Sequence, residues 1–147
     1  MKQCIFFTDN SWPAFILRLF AGGIMFAHGA QKMFGLFGGY GFSATMRYFT
    51  ETMRLPAIIS FLVIATEFIC SLSLIAGLAG RLSAAVFIII MLGAIFSTNY
   101  KNGFFMNWFG NQQGEGYEYH LLVIGTCLAL LITGSGKYSI DRLIVQS

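Results

Sequence analysis

Five ionisable residues stand where an apolar sequence should not tolerate them. Arg18, His28 and Lys32 lie inside one hydrophobic run, Glu67 is alone in a second, and Glu118 heads the last. An ionised side chain at mid-bilayer costs about 2.5–3.5 kcal/mol on insertion scales, so such groups face a bundle interior and find partners there. On a helical projection the three bases fall within about 80° of one another, on a single face. Acids and bases placed in this way can pair to fix helix register. They can also line a polar pocket that binds a headgroup or moves a proton. We read Arg18, His28, Lys32, Glu67 and Glu118 as lining a ligand-binding pocket, without assigning a catalytic residue.

Depth refines the pairing. Entered at Trp12, the first helix carries Arg18 about 9 Å in, His28 about 24 Å and Lys32 about 30 Å. The second helix runs back, which puts Glu67 about 15 Å from the loop side and about 20 Å from the side of the termini. His28 is therefore the expected partner of Glu67, and Lys32, level with Glu118, is expected to pair with that acid. Arg18 can join the pocket or snorkel to the terminal interface.

The elements that must position these groups are helices in a membrane. Of 147 residues, 56% are hydrophobic and only 10% charged, against about 25% charged in a soluble domain. Four apolar segments, at about 12–34, 57–79, 82–100 and 117–135, predict an all-α fold. The expectation is a polytopic membrane protein with a four-transmembrane-helix bundle in one domain, residues 1–147. Arg18 and the length of the first segment argue for a retained helix rather than a cleaved signal peptide. Gly23, Ala27 and Ala30 leave a small-residue groove for a neighbouring helix. After a glycine-rich break, Ser43 can cap a short amphipathic helix running to Arg54. Phe42, Met46, Phe49 and Met53 lie on one of its faces and Arg47, Glu51 and Arg54 on another. It can serve as a connector or as a lid over a lateral opening. On the second segment Ser60, Glu67 and Ser71 share a face.

The nine Lys and Arg are scattered singly against six Asp and Glu, without the basic stripe of a nucleic-acid binder. Cys4, Cys70 and Cys127 show neither a CxxC nor a zinc-ligand spacing, so no metal site is expected. Two of them sit in apolar segments, as small hydrophobes or as a redox pair between the second and fourth spans. Lys2, Arg81, Lys137 and Arg142 on the terminal side outnumber Arg47, Arg54 and Lys101 opposite, which leans both termini towards the cytoplasm.

Taken in order, these residues resemble the DoxX family: Arg18, His28-Gly29-x-x-Lys32, Glu67, a Gly77-x-x-Gly80-Arg81 turn, Glu118, and Gly134-x-Gly136 followed by Ser139-Ile140-Asp141. The likeness covers about residues 14–142. It implies a compact four-helix protein of the bacterial inner membrane, described as an oxidoreductase subunit. Some relatives are associated with quinone-coupled thiosulfate oxidation and others with oxidative-stress complexes. The sequence holds no haem, flavin or iron-sulfur motif.

Two functions of different class follow. The first is a redox-associated subunit that binds a quinone or similar lipophilic carrier, with His28 and Glu67 as hydrogen-bonding or proton-transfer groups and electrons from a partner redox protein. The second is a non-enzymatic lipid or isoprenoid module, or a scaffold in a membrane complex. Besides the lipid bilayer, a partner redox protein or a second copy of the chain is the expected contact.

Overall fold

Pro13 lacks the N–H that a first helical turn leaves unused, and α1 (Trp12–Phe34) begins beside it. It ends at Gly35, whose φ of +71° is left-handed and whose N–H bonds back to the carbonyls of Ala30 and Gln31. The computed structural model describes residues 6–146. Lys2 and Cys4 lie outside the described residues.

The connecting segment is helical, as its amphipathic pattern predicts. It starts earlier than expected: α2 (Gly41–Arg47) continues into a π-helical turn over Tyr48–Thr52. Ser43 is therefore inside the helix and caps nothing. Phe42, Met46, Phe49 and Met53 are half-buried while Ser43, Arg47, Glu51 and Arg54 are exposed, so the apolar face rests on the bundle. The Phe42 ring meets that of Phe61 at 6.1 Å.

Three more apolar helices follow, α3 (Ala57–Ala76), α4 (Gly80–Ser97) and α5 (Glu118–Thr133), and a last short helix, α6 (Ile140–Gln146). Helices α3 and α5 are each three residues shorter than the sequence expectation, whereas α4 begins two residues earlier and ends three residues earlier than expected. Gly77, at φ +68°, stops α3. A 3₁₀ turn, Asn99–Asn102, replaces the end expected of α4, and Gly134 stops α5. Helices α1, α3 and α4 are long and apolar enough to cross a membrane. At 1.5 Å per residue the 16-residue α5 covers about 24 Å. This is a small helical membrane protein whose four apolar helices suit four spans.

The helices form a ring in which α1 packs most extensively on α3 and α4 on α5, with α3–α4 and α1–α5 closing it. Met25, Leu74, Phe87, Met91, Cys127 and Leu130 fill the centre. Outward-facing Phe20, Ile89, Phe96, Leu122 and Ile132 are exposed, the pattern of a surface solvated by acyl chains. In lipid the attraction between helices comes from close packing and interhelical hydrogen bonds rather than from apolar burial, so small residues at contacts matter most. On α1 these are Gly22 and Gly29, two turns apart and both buried. Gly23, expected in that groove, is exposed, with nothing within 4 Å of the place a Cβ would take.

Candidate functional site

Glu67 is buried midway along α3, on the stripe Ser60, Ile64, Glu67, Ser71 and Leu74 that faces α1. A carboxylate there must find a partner, and Lys32 supplies it: its Nζ lies 2.6 Å from Glu67 Oε2. Lys32 keeps 27% of its side chain exposed against 4% for Glu67, so the pair has a wet end and a dry end. Two features bring it about. Helical side chains lean towards the N-terminus, and the long lysine stem carries its charge roughly a turn deeper than its Cα. Gly29, one turn before Lys32, sits directly on the α3 backbone at Glu67 and Phe68, so the two helices approach closely here.

This pairing is neither of the two expected from depth alone. Glu118 does not meet Lys32. Its Oε1 accepts hydrogen bonds from the Met106 N–H and the Trp108 Nε1–H, both at 3.2 Å, and so fixes the loop before α5. His28 does not bond Glu67 either. Its ring leans on that of Tyr119, 5.7 Å between centroids, within electrostatic reach of both Lys32 and Glu67. The Tyr119 hydroxyl faces Met25 Sδ at 3.6 Å and also feels the Glu67 charge.

Arg18 belongs to the other end of the bundle and neither lines this cluster nor snorkels outwards. Its guanidinium, 1% exposed, donates to the carbonyls of Leu74 (3.1 Å) and Ile75, the last turn of α3, and to those of Lys137 (3.1 Å) and Tyr138 (2.8 Å). A cation at the C-terminal end of a helix complements the partial negative charge of its free carbonyls. Close by, the fully buried Asp141 accepts from the N–H groups of Ala79 (2.6 Å) and Gly80 (3.0 Å) at the start of α4 and from the Ser135 hydroxyl (2.6 Å). The glycine turns and the terminal Ser-Ile-Asp run are therefore a clamp that joins α1, α3, α4 and the chain end.

In front of the Lys32–Glu67 pair a cleft of about 650 Å³ opens between the end of α1 and the α2–π segment. His28, Gln31 and Lys32 form one wall, and Arg47, Tyr48 and Glu51 contribute to the other. The segment expected to be a connector or a lid thus walls a cavity, and π turns are found disproportionately at functional sites. Gln31, Tyr48 and Tyr119 carry no charge and were not legible as site residues. The aromatic richness at Tyr117–Tyr119 was the available signal, and it reads as interfacial anchoring. Cys70 and Cys127 are free thiols. Among the described residues no group of three His, Cys, Asp or Glu side chains is arranged to hold a metal ion. The chemistry on offer is hydrogen-bond donation from Lys32, His28 and Gln31 beside a buried carboxylate, in a site of the 300–1,000 Å³ size that small-molecule ligands occupy.

The DoxX family profile matches residues 14–100, from α1 to just past the end of α4, and so takes in the Lys32–Glu67 pair, the cleft walls and Arg18. The chain belongs to the DoxX family. A curated relative, "Putative oxidoreductase CatD" of Bacillus subtilis (strain 168), is 28% identical over 131 residues, which is 89% of this chain and 86% of the relative. No solved structure matches the chain significantly. Glu118, Ser135 and Asp141 lie outside the profile match; Asp141 reaches into it by accepting from the start of α4, whereas Glu118 holds the loop before α5.

Proposed function

We propose that this DoxX protein is a redox-associated subunit of the bacterial inner membrane that binds a quinone or a closely similar lipophilic carbonyl compound in the cleft before Lys32 and Glu67. The observation that carries this reading is the pair itself: a half-exposed ammonium presented to a cavity, backed by a buried carboxylate. A quinone is an apolar ring with two carbonyl acceptors, and Lys32 with His28 or Gln31 can donate to one of them while Tyr48 and Phe49 border the ring. Glu67, ion-paired with the same lysine, is placed to take up or supply a proton through it. Electrons come from a partner redox protein in this reading, and the contribution of this chain is to bind, orient and exchange protons. Relatedness to the protein named "Putative oxidoreductase CatD" supports the assignment. Arg81, Lys137 and Arg142 at the terminal end support termini in the cytoplasm.

A second reading has its own observation. The Lys32–Glu67 pair is charge-balanced without a ligand, as a non-enzymatic isoprenoid or lipid module would require. One experiment separates the two. Purified protein in nanodiscs is titrated with a short-chain quinone and with an isoprenoid alcohol of the same tail, and lipophilic molecules that co-purify are identified by mass spectrometry. Quinone binding should exceed alcohol binding and fall about 10- to 100-fold in Lys32→Met, the value of a hydrogen bond to a charged group. Equal binding of both compounds, unchanged in the variant, refutes the quinone reading in favour of the lipid module.

A further inference from the structure

Asp141 and Arg142 are neighbours in sequence and point in opposite directions. The acid is turned inward and saturated by two backbone N–H groups and a serine. The base faces a groove of about 600 Å³ on the terminal end, walled by Asn10, Lys137, Tyr138, Ser139, Arg142 and Leu143. Burying the only acid of this segment leaves two cations unbalanced, since neither Lys137 nor Arg142 has a carboxylate partner among the described residues. Arg142 donates one N–H to the Asn10 side chain. The Lys137 ammonium sits 4.7 Å above the Trp12 ring.

Beside these charges lies a cluster of aromatic rings. Trp12, Phe15 and Tyr138 contact one another edge to face at 5.7–5.8 Å. Trp12 and Tyr138 are exposed at the mouth of α1, where tryptophan and tyrosine mark the membrane–water boundary. Ile140 and Leu143 of α6 are exposed next to them. The groove therefore has a planar guanidinium and a point cation at headgroup level and apolar surface directly below.

We infer that this groove binds the headgroup of an anionic phospholipid. Arg142 would hold the phosphate oxygens through its fork of donors, Lys137 would neutralise the charge, and the acyl chains would lie along Trp12, Tyr138 and Leu143. A zwitterionic lipid carries its own ammonium into the same two cations and is disfavoured. Free phosphate shares the charge but leaves the apolar surface uncovered.

The two tryptophans, at opposite ends of the bundle, provide the test. In Trp108→Phe the remaining Trp12 reports on the groove; in Trp12→Phe the remaining Trp108 reports on the far end. Each protein is reconstituted in vesicles containing equal mole fractions of brominated phosphatidylglycerol or brominated phosphatidylcholine, and tryptophan quenching is compared. Trp12 should select phosphatidylglycerol by about 25-fold, about fivefold for each of the two basic residues at the membrane surface. Lys137→Gln and Arg142→Gln should each reduce that preference and together bring it to one, while Trp108 is unaffected. Equal quenching of Trp12 by both lipids overturns the inference, as does a loss of selectivity at both tryptophans, which would be a general charge effect. If inorganic phosphate abolishes the preference at matched ionic strength, the groove is a site for soluble phosphate and the lipid assignment falls. Should the double variant fail to fold, Lys137→Arg and Arg142→Lys, which keep the charges, must retain the preference that either single glutamine variant weakens.

Discussion

The close α1–α3 approach at the ion pair depends on Gly29, and Gly29→Ala tests that dependence. A Cβ there would lie 2.8 Å from Phe68 Cα, 3.0 Å from Phe68 N and 3.2 Å from Glu67 C. All three are backbone atoms of α3, so no side chain can turn aside and α1 must move away. Overpacking of this kind costs about 1–3 kcal/mol, and replacing a helical glycine by alanine returns about 0.5–1 kcal/mol. The net loss is about 0–2.5 kcal/mol, centred near 1 kcal/mol. Gly23→Ala is the internal control, because nothing lies within 4 Å of its added methyl and only the gain applies. Thermal unfolding in mild detergent should place Gly29→Ala several degrees below wild type and Gly23→Ala at or above it. The same displacement draws Lys32 from Glu67, so an amine-acylating reagent should modify Lys32 faster in Gly29→Ala. If Gly29→Ala melts with Gly23→Ala and Lys32 reacts at the wild-type rate, the close α1–α3 approach is not what holds the pair.

The ion pair should respond asymmetrically. Lys32→Met leaves the dry carboxylate unpaired and should cost about 3–5 kcal/mol, whereas Glu67→Gln leaves a lysine that can hydrate into the cleft and should cost less. The Lys32→Met/Glu67→Gln double variant should be more stable than Lys32→Met alone, and additive losses in a double-mutant cycle by thermal unfolding would deny the coupling. Asp141→Asn removes a charge that accepts three hydrogen bonds and should lower stability by about 2–3 kcal/mol without altering ligand binding at the distant cleft. A binding defect larger than the stability loss would show that the clamp and the cleft communicate. Reporter fusions at Gln113 and Ser147 should report opposite sides of the membrane, and a common side would remove one span.

The helices were legible in the sequence because a membrane span leaves a long unbroken apolar signature, and Gly35 and Pro56 mark breaks by backbone chemistry that needs no tertiary context; the stop at Gly77 was not, because the apolar run continues through it to residue 79. The amphipathic segment was legible for the same reason, its four apolar residues recurring with helical period. The partners of the charges were not. Depth along a helix follows from Cα positions, and the length and backward lean of Lys32 move its ammonium from the level of Glu118 to that of Glu67. Of the small residues expected in the groove, Ala30 is buried but Gly23 is exposed, because Gly22 and Gly23 are adjacent and either can head a stripe. Only the neighbouring backbone decides which is covered. Arg18 was ambiguous since its acceptors are backbone carbonyls, two of them in a segment more than a hundred residues on, and carbonyl groups leave no trace in residue identity.

The Lys32–Glu67 contact also bears on how the chain enters its membrane. Helix α1 is synthesised before α3, and for that interval it carries Arg18 and Lys32 without the acceptors that α3 later provides. Each such charge disfavours transfer into lipid by about 2.5–3.5 kcal/mol, enough to hold a lone first helix at the translocation machinery or its edge. The arrival of α3 answers both charges together, through Glu67 and through the carbonyls of Leu74 and Ile75. The α1–α3 hairpin, rather than either helix, is then the unit of insertion, and a nascent chain stalled before Glu67 emerges should remain extractable by alkali while one stalled after Ala76 should not.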